Sequence, residues 1–159
     1  MQVTGLEEFS KKLLSLGSAG EGIAKAALYD GAAVLADKIR ANIEALPEDD
    51  ARWLSGEDKY SVITKRDKKD LLDHLGIAKM RTAGGQVSTV VGFNGYGSTP
   101  TKKHPKGKPM AMIARSIESG STVRRKHPFV RPAVNAVKNQ VKETMAETAR
   151  EQARKTMEG

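Results

Sequence analysis

The side chains able to do acid–base or metal chemistry are few: three histidines, His74, His104 and His127, and a row of aspartates, Asp67, Asp70 and Asp73. Cysteine is absent, which excludes thiolate nucleophiles, cysteine-ligated zinc, iron–sulfur clusters and a disulfide framework, and fits a reducing compartment. His104 and His127 each stand among basic residues and directly before a proline, a setting that reads as loop rather than metal ligand. The three aspartates recur every third residue, so they can line one side of a helix, where they favour its positive end. Read as metal ligands, they would suit a magnesium-dependent nuclease, with Asp70 or Asp73 essential; Glu57-Asp58-Lys59 is a fainter carboxylate–lysine candidate. Gly92, Gly95 and Gly97 do not make a dinucleotide fingerprint, and no phosphate loop or zinc-protease motif is present. No converging set of titratable groups supports catalysis. The expectation is a protein that is not an enzyme, with no cofactor and no metal.

Charge points elsewhere. The chain of 159 residues carries 27 Lys and Arg against 19 Asp and Glu, a formal charge of +8. Residues 100–159 hold 14 of the basic residues and five of the acidic ones, so the whole excess lies in the last third. Lys102, Lys103, Lys106 and Lys108 stand in one stretch, with Arg124, Arg125 and Lys126 in another. Both are candidate contacts to DNA phosphates or to acidic partner surfaces. Aromatic interleaving for single-strand stacking is nearly absent, with Tyr96 and Phe129 alone nearby, and no base-reading motif is visible. Binding to nucleic acid would therefore be salt-sensitive and sequence-independent. A lysine-rich loop equally keeps an exposed edge soluble until a partner arrives.

The elements that must position these residues follow from periodicity. Leu6, Phe9, Leu13 and Leu16 predict a helix over 6–16, broken by Gly17, Ser18 and Gly20. A longer helix over 21–46 carries the stripe Ile23, Ala27, Val34, Leu35, Ile39, Ile43 and Leu46, and its alanines allow close approach of a neighbour. Pro47 ends it. In the polar stretch that follows, Trp53 reads as a local anchor, and Tyr60, Val62 and Ile63 as a short strand or loop patch. Asp67 is the expected N-cap of a short helix containing Leu71, Leu72 and Leu75, terminated by Gly76. A brief strand over 77–80 and a clear one over 86–93 flank Gly84-Gly85, predicting a hairpin whose second arm has Val87, Thr89, Val91 and Phe93 on one face.

Residues 94–109 read as a long exposed loop with almost nothing to bury. A helix over 110–118 has Met110, Ile113, Ala114 and Ile117 on its apolar side, with Gly120 as a left-handed cap. Pro132 suits the first turn of a last helix running to about residue 157, with Val134, Val137, Val141, Met145 and Ala149 as its buried stripe. The expected architecture is one α+β domain over residues 1–159. A small antiparallel β-sheet packs against a long N-terminal helix and a C-terminal helix, and 94–109 and 121–127 are basic flexible loops. No apolar run approaches the 18 residues of a membrane span and no signal-peptide pattern opens the chain. A protein made in the cytoplasm, with no membrane partner, is expected.

Four blocks in order carry a resemblance. GLEEFSKKLLSL leads into an Ala-rich helix over 24–45. Leu71-Leu72-Asp73-His74-Leu75 follows, then the strand ending Val90-Val91-Gly92. Last come Ile117-Glu118-Ser119-Gly120-Ser121 and Pro128-Phe129-Val130-Arg131-Pro132-Ala133 before a terminal helix. The set resembles the tailed-phage neck family typified by the tenth gene product of phage HK97, the tail-completion or head–tail joining proteins. Members typically show Glu-x-Gly-Thr and then Pro-Phe-Leu-Arg-Pro-Ala. This chain departs in having Ser121 for the threonine, and Asp70 where a glycine is expected. The resemblance implies a structural virion protein of a tailed bacteriophage or prophage, made in the host bacterial cytoplasm and built into the neck as a ring, of six subunits. Its partners would be copies of itself, the head connector and the tail tube, with DNA in the lumen. The alternative is a basic, sequence-independent DNA-binding protein.

The last two blocks also have a physical logic of their own. Residues before proline disfavour helical geometry, so His127 and Arg131 are expected to be extended. That would press Phe129 into the core, and Glu118 and Arg131 are expected to pair across the junction as a structural contact.

Overall fold

The computed structural model describes residues 6–48, 63–122 and 124–159, with side chains from Leu16 onward. Trp53, Tyr60, Val62 and the Glu57-Asp58-Lys59 triplet lie outside the described residues, as do the side chains of Leu6, Phe9 and Leu13. The architecture is α+β.

Helix α1 (Leu6–Glu44) is continuous, so the expected break at Gly17–Gly20 does not occur. Three glycines within six residues cost roughly 1 kcal/mol each relative to alanine. Helix propagation adds a hydrogen bond per residue once a nucleus exists, and the packed turns beyond Ala27 supply that nucleus. Buried Ala32, Ala36, Ile39 and Ile43 recur at helical spacing on one face, and Leu46 closes the stripe just past the helix. Helix α2 (Lys65–His74) begins at Thr64 rather than at Asp67. The Thr64 hydroxyl accepts from the Asp67 amide, and the Asp67 carboxylate accepts from the Thr64 amide, each at 3.1 Å. Asp67 is thus the third helical residue of a reciprocal capping box. The helix ends at His74, so Gly76 lies inside the next strand instead of terminating the helix.

Strands β1 (Leu75–Ile77), β2 (Arg81–Ala83), β3 (Gln86–Ser88) and β4 (Val91–Phe93) pair as β1 with β4 and β2 with β3, both antiparallel. The first register sets Gly76 opposite Gly92 and the second sets Thr82 opposite Val87. The Ala78 amide still bonds the Val90 carbonyl at 2.8 Å. Between that pair and Arg81–Ser88 one arm holds Lys79 and Met80 while the other holds Thr89 alone. The four short strands are therefore one ribbon interrupted by a bulge, which divides the expected 86–93 strand in two. Val87, Thr89, Val91 and Phe93 do share the half-buried face. Gly84 and Gly85 take φ of 57° and 75°, the geometry that a two-residue turn needs to match the strands' twist.

Helix α3 (Met110–Ser119) buries Met110, Ala114 and Ile117, as its periodicity predicts. Helix α4 (Val130–Glu158) runs antiparallel to α1: Asn42 meets Phe129 at one end, and Asp30 meets Thr148 further along. Val134, expected in the buried stripe, is 41% exposed, and the neighbouring Ala133 is buried instead. The helix starts at Val130, so Pro132 is its third residue and Arg131 is helical rather than extended. A missing amide is harmless in that turn as well, because none of the first four has a partner within the helix. A Cβ on Gly31 would lie 2.6 Å from Met145 Cγ, so the small residues of α1 do let α4 come close. The main core gathers Ile39, Ile43, Leu46, Ile63, Leu71, Leu75, Met110, Ala114, Ile117, Phe129 and Ala133, where α1, α2, α3 and the root of α4 meet.

Candidate functional site

The junction between α3 and α4 is built around a carboxylate. Glu118 accepts from the backbone amides of Phe129 at 2.7 Å, Val130 at 2.8 Å and Arg131 at 2.9 Å. It therefore caps α4 from another helix, in a place where the N-cap residue Phe129 offers no side-chain acceptor. The expected side-chain pair of Glu118 with Arg131 does not form as an ion pair; Glu118 instead meets the Arg131 backbone amide. Burial alone would raise the Glu118 carboxyl, but the three amides, helped by the Arg131 charge, hold it below the ordinary carboxylate range. The Asn42 amide donates to the Phe129 carbonyl at 2.9 Å, and the His127 amide to the Ile117 carbonyl at 2.7 Å. Gly120 caps α3 with φ 77° and ψ 174°. Its φ is positive as expected, but its ψ places it in the mirror-extended region, which is essentially closed to other residues. Pro128 is exposed and precedes Phe129, which is 1% exposed and stacks edge-on against Phe93, with ring centroids 5.9 Å apart.

The aspartate row does not converge. Asp67 caps its own helix and lies 3.5 Å from Arg124. Asp70 is buried and accepts from the Ser98 amide at 2.8 Å and the Ser98 hydroxyl at 3.0 Å. Asp73 faces outward to Lys69 at 2.5 Å. His74 Nδ1 lies 2.8 Å from the Asp70 carbonyl, and His104 and His127 are half-buried in separate loops. Among the described residues no group of three or more His, Asp or Glu is placed to hold a metal.

Of the basic candidates, Lys102, Lys103, Lys106, Lys108, Arg125 and Lys126 are exposed, whereas Arg124 is turned inward to Asp67. The 94–109 loop buries more than its composition suggests, and what it buries is backbone. Gly97 and Gly107 are both buried. The Gly97 amide bonds the Lys108 carbonyl at 2.8 Å and the Met110 amide bonds the Gly95 carbonyl at 2.9 Å, closing the loop at its root. A Cβ on Gly107 would lie 1.9 Å from the Gly97 carbonyl oxygen, and Gly107 has φ 93°. Because the obstacle is backbone, no rotamer change relieves it. Gly107→Ala is expected to destabilise the protein by at least about 2 kcal/mol in denaturant unfolding. Gly84→Ala has a positive φ but open space around it, so it should cost only about 1 kcal/mol. Equal losses for the two would mean that the crossing of Gly107 over Gly97 carries no stability.

One apolar groove, of about 660 Å³, lies between α1, the β2–β3 turn and α4. Its lining includes Ala24, Leu28, Val87, Met145 and Ala149, and its one ionisable residue, Glu21, is held by Lys25 at 2.6 Å and Thr82 at 2.8 Å. That is not the lining of a catalytic cleft. Sequence reasoning missed this groove and missed the anchoring roles of Asp67 and Asp70. The partners of those aspartates lie 57 and 28 residues away in the chain, and no local pattern reports such pairs. Compared with family models, curated proteins and solved structures, the chain matches none. No helix among the described residues is long and apolar enough to cross a membrane.

Proposed function

We propose that this chain is a structural subunit of a tailed bacteriophage or prophage virion, a tail-completion or head–tail joining protein that assembles as a ring, of six subunits, at the neck. The reading rests on the ordered sequence blocks, above all Glu118 to Gly120 and Pro128 to Ala133. The observation that supports it best is the ribbon: each of the four strands has a single neighbour among the described residues, leaving backbone donors and acceptors along both outer edges. Val90 on this ribbon is 66% exposed. Edges of this kind are templates for pairing with another chain. A subunit that completes such edges only in an assembly has a use for them. The head connector and the tail tube are the proposed partners, and the engagement of Asp67, Asp70 and Asp73 in contacts of their own fits a non-catalytic role.

Electron microscopy of lysates from the parent phage lacking this gene tests the proposal. DNA-filled heads separate from tails, or tails with abnormal ends, are expected. Normal infectious particles would overturn it.

A further inference from the structure

We infer that the two basic loops form one binding face for the phosphate backbone of double-stranded DNA, aligned by two carboxylates of α2. The inference does not rest on the neck assignment. Asp67 and Asp70 are three residues apart, so they lie on the same side of α2 about 4.5 Å apart along its axis. Asp67 holds the second loop through Arg124, and the Ser121–Arg124 backbone bonds at 2.9 and 3.4 Å fold that loop into a turn carrying Arg125 and Lys126. Asp70 holds the first loop through Ser98. The adjoining Gly97 bonds Lys108, and the Thr101–His104 turn carries Lys102 and Lys103 at its tip. Two cationic stretches separated in sequence by the whole of α3 are thereby fixed to successive turns of one short helix.

The field of this face is uncompensated. Residues 94–109 and 120–128 contain no acidic residue. Of the nearby carboxylates, Asp67 is committed to Arg124, Asp70 to Ser98 and Glu118 to the α4 amides, while the outward-facing Asp73 is paired with Lys69. Six exposed cations remain: Lys102, Lys103, Lys106, Lys108, Arg125 and Lys126. The chemistry favours phosphate over an acidic protein. Protein interfaces are depleted in lysine at their centres and built on aromatic and arginine anchors, whereas five of these six cations are lysines. Lysines on flexible stems around glycine-rich turns instead suit the repeating charge of a duplex, read without regard to sequence.

The test is fluorescence anisotropy of a labelled 30-base-pair duplex of arbitrary sequence, titrated with the full-length protein between 50 and 200 mM NaCl. If all six cations meet phosphates, affinity falls roughly a thousandfold across that range, a slope of roughly −5 in log affinity against log salt. The variant with Lys102, Lys103, Lys106 and Lys108 all changed to Gln should retain a slope of only roughly −2. Arg125→Gln with Lys126→Gln should reduce it by roughly two. These side chains are exposed, so unchanged melting temperatures will show that the variants fold. A shallower slope from each loop separately establishes the composite face. An unchanged slope from either loop, no binding at 50 mM, or binding to polyglutamate but not to DNA would overturn it. Defective virions from a protein that ignores DNA would sink this inference while leaving the neck assignment standing.

Discussion

Phe129→Ala is expected to cost about 3–5 kcal/mol, the range for truncating a buried aromatic. The side chain is 1% exposed, meets the Phe93 ring edge-on at 71°, and belongs to a core drawn from α1, α2, β1, α3 and α4. Its removal opens a cavity at the root of α4 that neighbours such as Ile39 and Ile117 cannot fill without shifting their helices. Since domains of this size are stable by only about 5–15 kcal/mol, urea unfolding should show a midpoint near collapse. Phe129→Leu keeps most of the buried area and should lose less than half as much. A loss below about 1 kcal/mol for the alanine variant would mean that the ring does not hold the junction.

Glu118→Ala should be the next most damaging change, costing about 3 kcal/mol. It removes the acceptor for three amides at once, and hydrogen bonds to a charged group each contribute more than neutral ones. The same carboxylate makes the loss depend on pH. Its native pKa is lowered, so the unfolded chain binds its proton more readily than the folded one. The Glu118 contribution is therefore complete above the ordinary glutamate pKa of about 4.3, and drains away as pH falls through that value and on through the lower native one. Glu118→Gln keeps one acceptor oxygen, so it should fall between alanine and the native residue at pH 7. It should also lack this part of the acid-induced decline. Melting temperatures for the three proteins between pH 3 and pH 7 check both points. Parallel curves for native and Gln proteins would show that the amide cap is not a charged one.

Much of the fold was legible because most of it is written in periodicity. The stripe Ile39, Ile43 and Leu46, the α3 face Met110, Ala114 and Ile117, and the Gly84-Gly85 turn could all be read from residue spacing. The misreadings fall where local rules compete with tertiary packing. Glycines at 17 and 20 signal a break, but α1 runs through them. Val134 looks core-like beside Ala133, yet the geometry of the α1–α4 approach favours the smaller residue. The bulge at Lys79 and Met80 leaves no mark in a strand pattern, since it lies in the less regular arm. For the sites, Glu118, Gly120 and Phe129 could be singled out before the structure, but not the manner in which Glu118 works. Its partners are amides, and an amide has no residue type. The same holds for the loop over 94–109, where the packing is glycine backbone against glycine backbone.

The uneven distribution of bulk along the α1–α4 pair has a consequence for how the protein comes apart. Large buried side chains crowd one end, around Phe129, Ile39 and Met110. Toward the other end the seam consists of Ala24, Ala27, Gly31, Met145 and Ala149, beside an apolar groove. Opening free energy tracks buried apolar contact, so local opening is expected to start at the groove end of the α1–α4 pair rather than around Phe129. The β2–β3 turn lies over that end, joined to it by Thr82 and Glu21. A neighbour that paired with the ribbon would thus tighten the end expected to open first. The Phe129 end, with its cap at Glu118, would be left as it was.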